Sequence, residues 1–557
     1  MKKIAFLTLL SLIVFGSCSD FLDIKPNDII IGDALAEENL DALTSPLYNK
    51  AWYDYNNQFY YAMEGMAYNL EHNADYIGYF THLTFTGQTS CLVAAWGSFY
   101  NVIQMANKVI ISVNSVNAEE TKKTQCIAEA RFMRGLAYWY LASLWGDVIL
   151  SDDPTPLVNN PLVNKNPKSD VYEFAIRDME FAAKYLPETS SAAGRLNRYC
   201  AFGMLSRLYL DYSGFKASNF GDNPNVGTRD AEYLGLAQKA AAKVIGSGQF
   251  KLLDNYENLF QIANNDNSET LFAFQWVGGL DGNSNAGFGL TNSQASYLAF
   301  TSLICGDGGW GAFTEITYDM AKEYESTDTI RRRATWMGAG DYYPELNSTD
   351  GGFRIGNGED EYNSGHDPYN SCLNVKKGVT GNVKDDPAIN ARNSGVDNYM
   401  LRYAEVLLNY ADATLGNNAS LDNATALGYF NAVRTRAGLP AKTSVTYEDL
   451  RHERRVEFCM EGRYWFDLVA RSYYRQSEVI SYITAQDRGT VPAFLFDAPN
   501  NLRINPDKNS TTRAVGEIKA GTFKLPYPES ELIQNPKLGD AAASYQFTEE
   551  RITDLFN

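Results

Sequence analysis

One stretch of the chain, AEARFMRGLAYWYLASLWGDV (residues 128–148), carries apolar side chains almost all round a helical wheel. A helix with this pattern has no polar face to turn to water, so it must be buried against several neighbours. Gly146 is a residue that readily adopts the left-handed conformation that ends a helix. We therefore predict a long helix at the centre of the molecule.

Helical spacing of apolar residues dominates most of the remaining sequence. LRYAEVLLNYADATLG (401–416) and NATALGYFNAVRTRAGLP (423–440) end at Gly416 and Gly438, which predicts a helical hairpin. Its small alanines and large aromatic residue resemble a tetratricopeptide unit, although the spacing departs from the strict repeat length. Helix pairs recur between about residues 96 and 245. We predict an all-α fold, a tetratricopeptide-like helical repeat scaffold with long irregular loops and a few short strands.

Residues 250–397 differ from the flanking helical regions because Gly, Asn, Asp and Ser dominate them. TLFAFQWVGG (270–279) alternates Phe272, Phe274 and Trp276 as a strand does. Long loops on a rigid scaffold usually carry binding surfaces. The predicted organisation is a signal peptide (1–17), an N-terminal helical region (18–250), a loop-rich ligand-binding region (251–397), and a C-terminal helical region with an irregular tail (398–557).

The N-terminus has the composition of a secretory signal, with Lys2 and Lys3 before the apolar run 4–15. That run is shorter than the ~20 apolar residues that span a bilayer. The small residues before Cys18 resemble the lipobox of bacterial lipoproteins, so we expect Cys18 to be lipidated and the membrane to be reached only through this anchor. An ordinary signal cleaved nearby is the alternative.

The formal net charge of −19 excludes some partners. Such a surface repels nucleic acid and anionic lipid, so a neutral or cationic partner is more plausible. The cysteines are scattered without a CxxC pair, and we predict no zinc site. Cys126, Cys200 and Cys459 fall in helical patterns and are expected to be small buried hydrophobic residues.

No catalytic residues are predicted. The chain has only four histidines, and HERRV (452–456) places Val456 where a zinc protease needs its second histidine. Glu453, Glu457 and Glu461 share one helix face, which could suggest a paired-carboxylate glycosidase or a cation site. Arginines interleave with them and RTR (434–436) lies in the preceding helix, which favours an ion-pair network with lowered carboxyl pKa values.

Aromatic residues make up 13% of the chain, and we expect part of this excess at the surface. Flat rings stack on the C–H face of a sugar while Asp, Asn, Arg or Gln bind its hydroxyls. NADYIGYFTHLTF (73–85), which also contains Phe85, and the glycine-rich CGDGGWGAF (305–313) have this mixture. The candidate sugar-binding residues are Trp310, Asp75, Tyr76, Tyr79, Phe80, Trp96, Tyr297 and Trp336. Core packing is the alternative for the aromatic ones, above all for Trp96.

Two polar clusters, NNDNSE (264–269) and NGEDEYNSGHD (357–367), could hold Ca²⁺ through oxygen ligands. They lack the spaced pattern of a calcium loop, so solvated loops are favoured and no metal or other cofactor is expected.

Seven segments together resemble the SusD/RagB family of outer-membrane nutrient-binding, starch-binding-like lipoproteins from Bacteroidetes-type bacteria. They occur in the order of that family and span nearly the whole mature chain. The segments are CSDFLDIKP, WGSFYNVIQMANKVI, AEARFMRGLAYWYLASLWGDV, LRYAEVLLNYADA, FNAVRTRAGLP, ERRVEFCMEGRYWFDLV and LPYPESELIQNP.

The resemblance implies a helical tetratricopeptide scaffold tethered to the outer membrane and facing the exterior. It implies a SusC-like TonB-dependent transporter as partner, over which the lipoprotein acts as a lid. Asp20 and Asp23, just after Cys18, resemble the surface-export signal of these bacteria. Ligand aromatics in the family come from about the two regions that contain residues 73–85 and 305–313.

We therefore predict a non-enzymatic surface lipoprotein that captures an oligosaccharide and delivers it to its transporter. A peptide-binding member of the same family, a surface glycoside hydrolase and a scaffold that binds no ligand are the alternatives.

Overall fold

The computed structural model describes residues 40–48, 50–52, 55, 59–72, 75–279, 294–306, 314–338, 340–355, 373–389, 394–491, 494–496, 502–504 and 510–556. Helices dominate these residues. In chain order they are α1 (Leu40–Thr44), α2 (Tyr60–Met66), α3 (Asp75–Thr81), α4 (Ser90–Ser115), α5 (Glu120–Leu144), α6 (Thr155–Asn159), α7 (Lys168–Tyr185), α8 (Arg198–Ala217), α9 (Ala231–Gly246), α10 (Gln294–Leu298), α11 (Tyr318–Glu323), α12 (Thr329–Thr335), α13 (Tyr403–Leu415), α14 (Ala424–Arg436), α15 (Tyr447–Glu457), α16 (Tyr464–Thr484) and α17 (Glu529–Gln534).

The strands are short and form two-stranded antiparallel pairs: β1 with β3, β2 with β6, β4 with β5, β7 with β10 and β8 with β9. They are β1 (Leu70–His72), β2 (Thr270–Phe274), β3 (Thr314–Ile316), β4 (Tyr342–Tyr343), β5 (Phe353–Arg354), β6 (Asn398–Arg402), β7 (Thr490–Val491), β8 (Phe494–Phe496), β9 (Leu502–Ile504) and β10 (Thr511–Thr512). The predicted strand with Phe272 and Phe274 is β2.

The central helix predicted from its apolar pattern is α5. Every residue from 128 to 146 is buried, including Trp139 and Trp145. The Trp139 indole donates a hydrogen bond to Asp211 Oδ2 at 2.8 Å, which satisfies the one polar atom of that ring. Gly146 has a φ of 77°, the left-handed conformation expected at the helix end. The prediction of a central helix is confirmed.

The long helices pack in succession, each on the next: α4 on α5, α5 on α7, α7 on α8, α8 on α9, α9 on α13, and α13 on α14. The predicted hairpin of 401–416 and 423–440 is the pair α13 and α14. Helix α13 begins only at Tyr403, because Leu401 and Arg402 pair with β2. This succession confirms the all-α prediction with irregular loops and a few short strands.

The end of the chain lies across the helices as an extended segment, residues 543–556, which we call the C-terminal strap. The Ala543 amide donates to the Lys165 carbonyl at 2.8 Å at its beginning. Arg551 forms an ion pair with Glu180 of α7 and donates to the Tyr233 hydroxyl of α9 at 2.6 Å. The strap therefore joins α7 and α9.

Candidate functional site

Helix α3, which lies in the predicted region 73–85, is held tightly against β1. A Cβ atom on Gly78 would lie 2.5 Å from the His72 carbonyl oxygen, so only glycine allows this approach. The Arg488 guanidinium donates to the Thr81 carbonyl at 2.8 Å and to the Met66 carbonyl at 2.7 Å, joining the ends of α3 and α2. The position of α3 is thus fixed from two sides.

The pairing of β1 with β3 brings distant parts of the chain to α3. His72 lies opposite Thr314, and the Thr314 hydroxyl donates to the Tyr297 carbonyl at 2.9 Å. The end of β1, Tyr297 and the start of β3 therefore lie together. Trp310 and the side chains of Asp75 and Tyr76 lie outside the described residues, so their positions within this site stay predictions.

Two of the predicted rings have accessible surface here. Tyr79 of α3 is 39% exposed. Tyr297 is partly buried, with its ring 6.2 Å from that of Tyr61. Both rings can therefore contribute to a binding surface.

Three other predicted rings are buried, which is a correction to the candidate set. Phe80 is 0% exposed and lies between the rings of Phe59 and Phe85. Trp96 is 4% exposed and packs against Trp145 and Tyr527. Protein atoms cover these rings, so a sugar cannot stack on them in this conformation.

Trp336 is the third buried ring, with 3% of its surface exposed. Its backbone bridges to Val375, and its ring contacts Tyr324 and the Arg332 guanidinium. The arginines that precede Trp336 belong to α12, and Arg331 and Arg332 are themselves buried in ion pairs.

A groove of about 380 Å³ opens beside α3 and has two partly buried rings, Phe85 and Tyr527, in its lining. Leu83 has a φ of 57°, and this turn after α3 lets the Thr84 amide donate to the Tyr79 carbonyl at 2.7 Å. Phe85 consequently stacks on Phe80 with ring centroids 5.0 Å apart. The groove therefore begins at the turn that follows α3, the helix that carries Tyr79.

Polar groups accompany the rings of this groove. Lys519, Lys524 and Glu517 line it, and all three are exposed. The Tyr527 hydroxyl donates to the Asp147 carbonyl at 2.6 Å, and burial raises the pKa of this phenol, so it stays protonated and held in place. Tyr527 therefore offers its ring rather than its hydroxyl to a ligand.

Tyr527, Lys519 and Lys524 were not among the site residues predicted from the sequence. The segment LPYPES (525–530) sets a tyrosine among prolines and acids and directly follows Lys524. This is the same mixture of ring and polar residues that singled out residues 73–85. Only the folded chain shows that residue 527 lies next to residue 85.

The glutamate stripe of α15 and the residues after it forms the predicted ion-pair network. Glu453 pairs with Arg331 at 2.6 Å, Glu457 with Arg402 at 3.0 Å, and Glu461 with Lys377 at 2.9 Å. Arg434 and Arg436 of the RTR motif pair with Glu453 and Glu457. The predicted network is thus confirmed for the RTR arginines, whereas the interleaved Arg454 and Arg455 pair with Asp467 and Asp319 instead of the stripe.

The electrostatics of this network oppose acid catalysis. Burial by itself would raise the pKa of Glu457, but Arg436, Arg402 and Arg331 outweigh it and lower the pKa to about 2. Such a carboxyl stays ionised and enclosed, whereas a general acid needs a raised pKa and an open cleft.

The polar cluster at 264–269 is engaged in internal bonds. Glu269 is fully buried and accepts from Arg402 at 2.5 Å and from Arg436 at 2.7 Å. Among the described residues no group of three His, Cys, Asp or Glu side chains could hold a metal ion. Residues 357–367 lie outside the described residues, so the calcium expectation there stays a prediction. Within the described part of the chain, every helix is too short or too polar to cross a membrane.

Known protein families match both halves of the chain. A family model described as "SusD family" matches residues 241–542, and one described as "Starch-binding associating with outer membrane" matches residues 20–210. A SusD-like protein of Bacteroides ovatus is 36% identical over 572 residues, which cover 99% of each chain.

Two further relatives are similar to this chain. The starch-binding protein SusD of Bacteroides thetaiotaomicron is 25% identical over 379 residues, 61% of this chain and 63% of that protein. A crystal structure determined with xylogluco-oligosaccharide superimposes with a TM-score of 0.81 at 36% identity, covering 92% of this chain and 100% of the other.

The fold and the groove define a class of protein, a stacked-helix scaffold that carries an aromatic groove on its surface. Within that class, the chain belongs to the SusD family. The resemblance of its seven sequence segments to SusD/RagB proteins is confirmed.

Proposed function

We propose that this protein binds a neutral oligosaccharide at the surface formed by Tyr79, Tyr297, Phe85 and Tyr527, without chemical change to the sugar. The observation that carries the proposal is the groove of about 380 Å³ at the turn after α3, the helix of the exposed Tyr79. This groove combines two rings with lysine and glutamate side chains. Its size lies within the range typical of ligand pockets.

The recognition chemistry follows from the groove's composition. A sugar ring can lay its C–H face on Phe85 or Tyr527, since both rings keep part of their surface open. Lys519, Lys524 and Glu517 can bind hydroxyl groups at the rim. A crystal structure with 36% sequence identity was determined with xylogluco-oligosaccharide, which makes that sugar the first probe to use.

The hydrolase alternative has little support in the described residues. The paired carboxylates that suggested it are enclosed by arginines and have exposed fractions of 0 to 4%. Peptide binding and a purely structural role differ from sugar binding in a measurable way, because both predict no heat of binding with any sugar.

Isothermal titration calorimetry on the protein without its lipid tests the proposal. A panel of xylogluco-, cello-, laminari- and malto-oligosaccharides is titrated, and the mixtures are then analysed for products. Heat without product is expected for at least one sugar. Product formation would establish a hydrolase, and absence of heat across the panel would contradict sugar binding.

Tyr79→Ala supplies the site-specific part of this test, with Phe220→Ala as its control. Phe220 has a comparable exposure, 46% against 39%, and lies in the turn after α8. Tyr79→Ala is expected to weaken sugar binding and Phe220→Ala to leave it unchanged. Equal affinities for the two variants would remove Tyr79 from the site.

The location and partner are part of the same proposal. Lipidation of Cys18 would tether the scaffold to the outer membrane with the groove facing the exterior, and a SusC-like TonB-dependent barrel would receive the captured sugar. The family model described as associating with the outer membrane supports this location. Co-purification of the tagged protein with a TonB-dependent barrel from native membranes tests the partnership. A protein recovered without a barrel would oppose it.

A further inference from the structure

A second cleft, of about 310 Å³, lies between α4, α5, α7 and the C-terminal strap. Phe181 of α7 and the strap residues Tyr545 and Phe547 contribute partly buried rings to its lining. Burial and the neighbouring Asp152, which also lines the cleft, raise the pKa of the Tyr545 hydroxyl. The strap thus forms one wall of a cleft that the helices alone would leave open.

The floor of this cleft is built from ordered ion pairs. The Arg131 Nε donates to Asp178 at 2.7 Å, and its NH1 group donates to Glu549 of the strap at 2.7 Å. Arg134 donates to both Asp178 oxygens, at 2.8 and 2.9 Å, and to Asn107 at 2.6 Å. These buried guanidinium groups hold the lining in one conformation before any ligand arrives.

Two arginines of the cleft also lie against its rings. The guanidinium carbon of Arg131 is 4.2 Å from the Phe181 centroid, and that of Arg177 is 4.4 Å from the Phe547 centroid. The cation on one face of each ring helps to fix the orientation of that ring. Rigid rings with polar edges are the combination that binds sugars at low entropic cost.

The charge of the lining decides which ligands fit. Three arginines (Arg131, Arg134 and Arg177) face three carboxylates (Asp152, Asp178 and Glu549). The cleft is therefore close to neutral although the whole chain is strongly acidic. A neutral ligand can bind here without breaking an ion pair, whereas a charged ligand would have to displace one partner of an existing pair.

The second cleft is separate from the groove near Tyr79. Leu525 of that groove donates its amide to the Leu144 carbonyl at the end of α5, whereas Arg131 lies near the middle of the same helix. With a rise of 1.5 Å per residue, the two sites are about 20 Å apart along α5.

We propose that this cleft is a second binding site for neutral sugar, sized for one or two rings of a longer glycan. It rests on its own lining and would bind sugar even if the groove near Tyr79 did not. Two sites on one glycan chain would raise its overall affinity, because the second contact forms at a high effective concentration.

Two kinds of variant test the second site. Phe181→Ala with Phe547→Ala removes the two rings that the arginines contact. Asn114→Trp places a bulky ring at its rim and keeps the core contacts, so it blocks the cleft even if the first variant folds poorly. The double variant Tyr79→Ala with Tyr527→Ala disables the groove. Saturation-transfer NMR with the same oligosaccharide panel reports binding to each folded variant.

The expected result is that the groove variant keeps binding to at least one sugar and that adding Asn114→Trp abolishes this residual binding. The single variant Asn114→Trp should bind a long xyloglucan chain at least tenfold more weakly than the wild-type protein does. The proposal is overturned if the groove variant loses all binding or if the residual binding survives the block. If the groove itself does not bind sugar, the groove variant will instead bind sugar as well as the wild-type protein does.

Discussion

The ring and the hydroxyl of Tyr527 have different roles. The ring lines the groove, and the hydroxyl donates a hydrogen bond to the Asp147 carbonyl. Tyr527→Phe keeps the ring and removes the hydrogen bond. We expect it to lower the free energy of unfolding by about 0.5–1.5 kcal/mol with little effect on sugar affinity.

Tyr527→Ala removes the ring as well. Loss of a stacking partner costs about 0.5–1.5 kcal/mol beyond the area it buries, so the Kd for xylogluco-oligosaccharide should rise roughly two- to tenfold. Calorimetry on both variants, together with thermal unfolding, checks this difference. If the Phe variant loses as much affinity as the Ala variant, the ring is not the binding element.

The sequence does not predict which individual aromatic side chains are exposed. Tyr79 and Phe80 are neighbours in the chain with the same aromatic character, but one is 39% exposed and the other 0%. The difference arises because Phe85 folds back onto Phe80 through the Leu83 turn. Contacts of this kind depend on the tertiary structure and leave no periodic trace in the sequence.

At the level of elements, the approach of α3 to β1 positions the candidate site. Gly78→Ala would place a methyl group 2.5 Å from the His72 carbonyl oxygen, and backbone atoms cannot yield as a flexible side chain can. We expect α3 to be displaced, with weaker sugar binding and a destabilisation of about 1–3 kcal/mol.

Gly235→Ala is the matched control for this prediction. Gly235 lies inside α9, and a Cβ there would meet nothing within 4 Å. Alanine should stabilise that helix by about 0.5–1 kcal/mol and leave sugar binding unchanged. Thermal unfolding and calorimetry on both variants check the pair. Equal changes in stability would mean that the close approach of Gly78 to the His72 carbonyl does not restrict the residue at position 78.

The ion-pair network of α15 predicts a particular response to acid. The pKa of Glu457 is lowered to about 2 by Arg436, Arg402 and Arg331 despite burial, and that of Glu405 is lowered to about 2 by Arg207, Arg463 and Arg454 despite burial. As the pH falls past ~4.3, the ordinary pKa of a glutamate, these carboxyl groups therefore bind protons in the unfolded chain before they do so in the folded chain. The stability from these groups is fully present above about pH 5 and is lost progressively towards pH 2.

Glu457→Gln tests the same network at neutral pH. It leaves buried arginines without their carboxylate, which should cost about 3–5 kcal/mol. Glu232→Gln, which removes one member of an exposed pair with Lys216, should change stability by no more than about 0.5 kcal/mol. Urea unfolding between pH 2 and pH 8 measures both effects. A flat acid profile in wild type would contradict the lowered pKa values.

At the scale of the molecule, the sequence predicted the scaffold better than the site. The pattern of residues 128–148 indicated a central helix, and the glutamate stripe with the nearby RTR motif indicated a network, because both signals are local. The pairing of His72 with Thr314, and the meeting of Phe85 with Tyr527, join residues hundreds of positions apart. Their proximity is set by how the helices stack, which no local pattern encodes.

The anchor at Cys18 is the prediction that concerns the whole molecule. Two or three acyl chains would hold the scaffold at the membrane, since each buried methylene contributes about 0.8 kcal/mol. Cys18→Ser removes the acceptor for these chains and changes no residue of the groove. We expect the variant to leave the membrane fraction and to bind sugar in solution with the affinity of the wild-type groove. Fractionation with labelled fatty acid, followed by calorimetry on the released protein, measures both properties. A variant that stays with the membrane would show that another part of the chain holds it there.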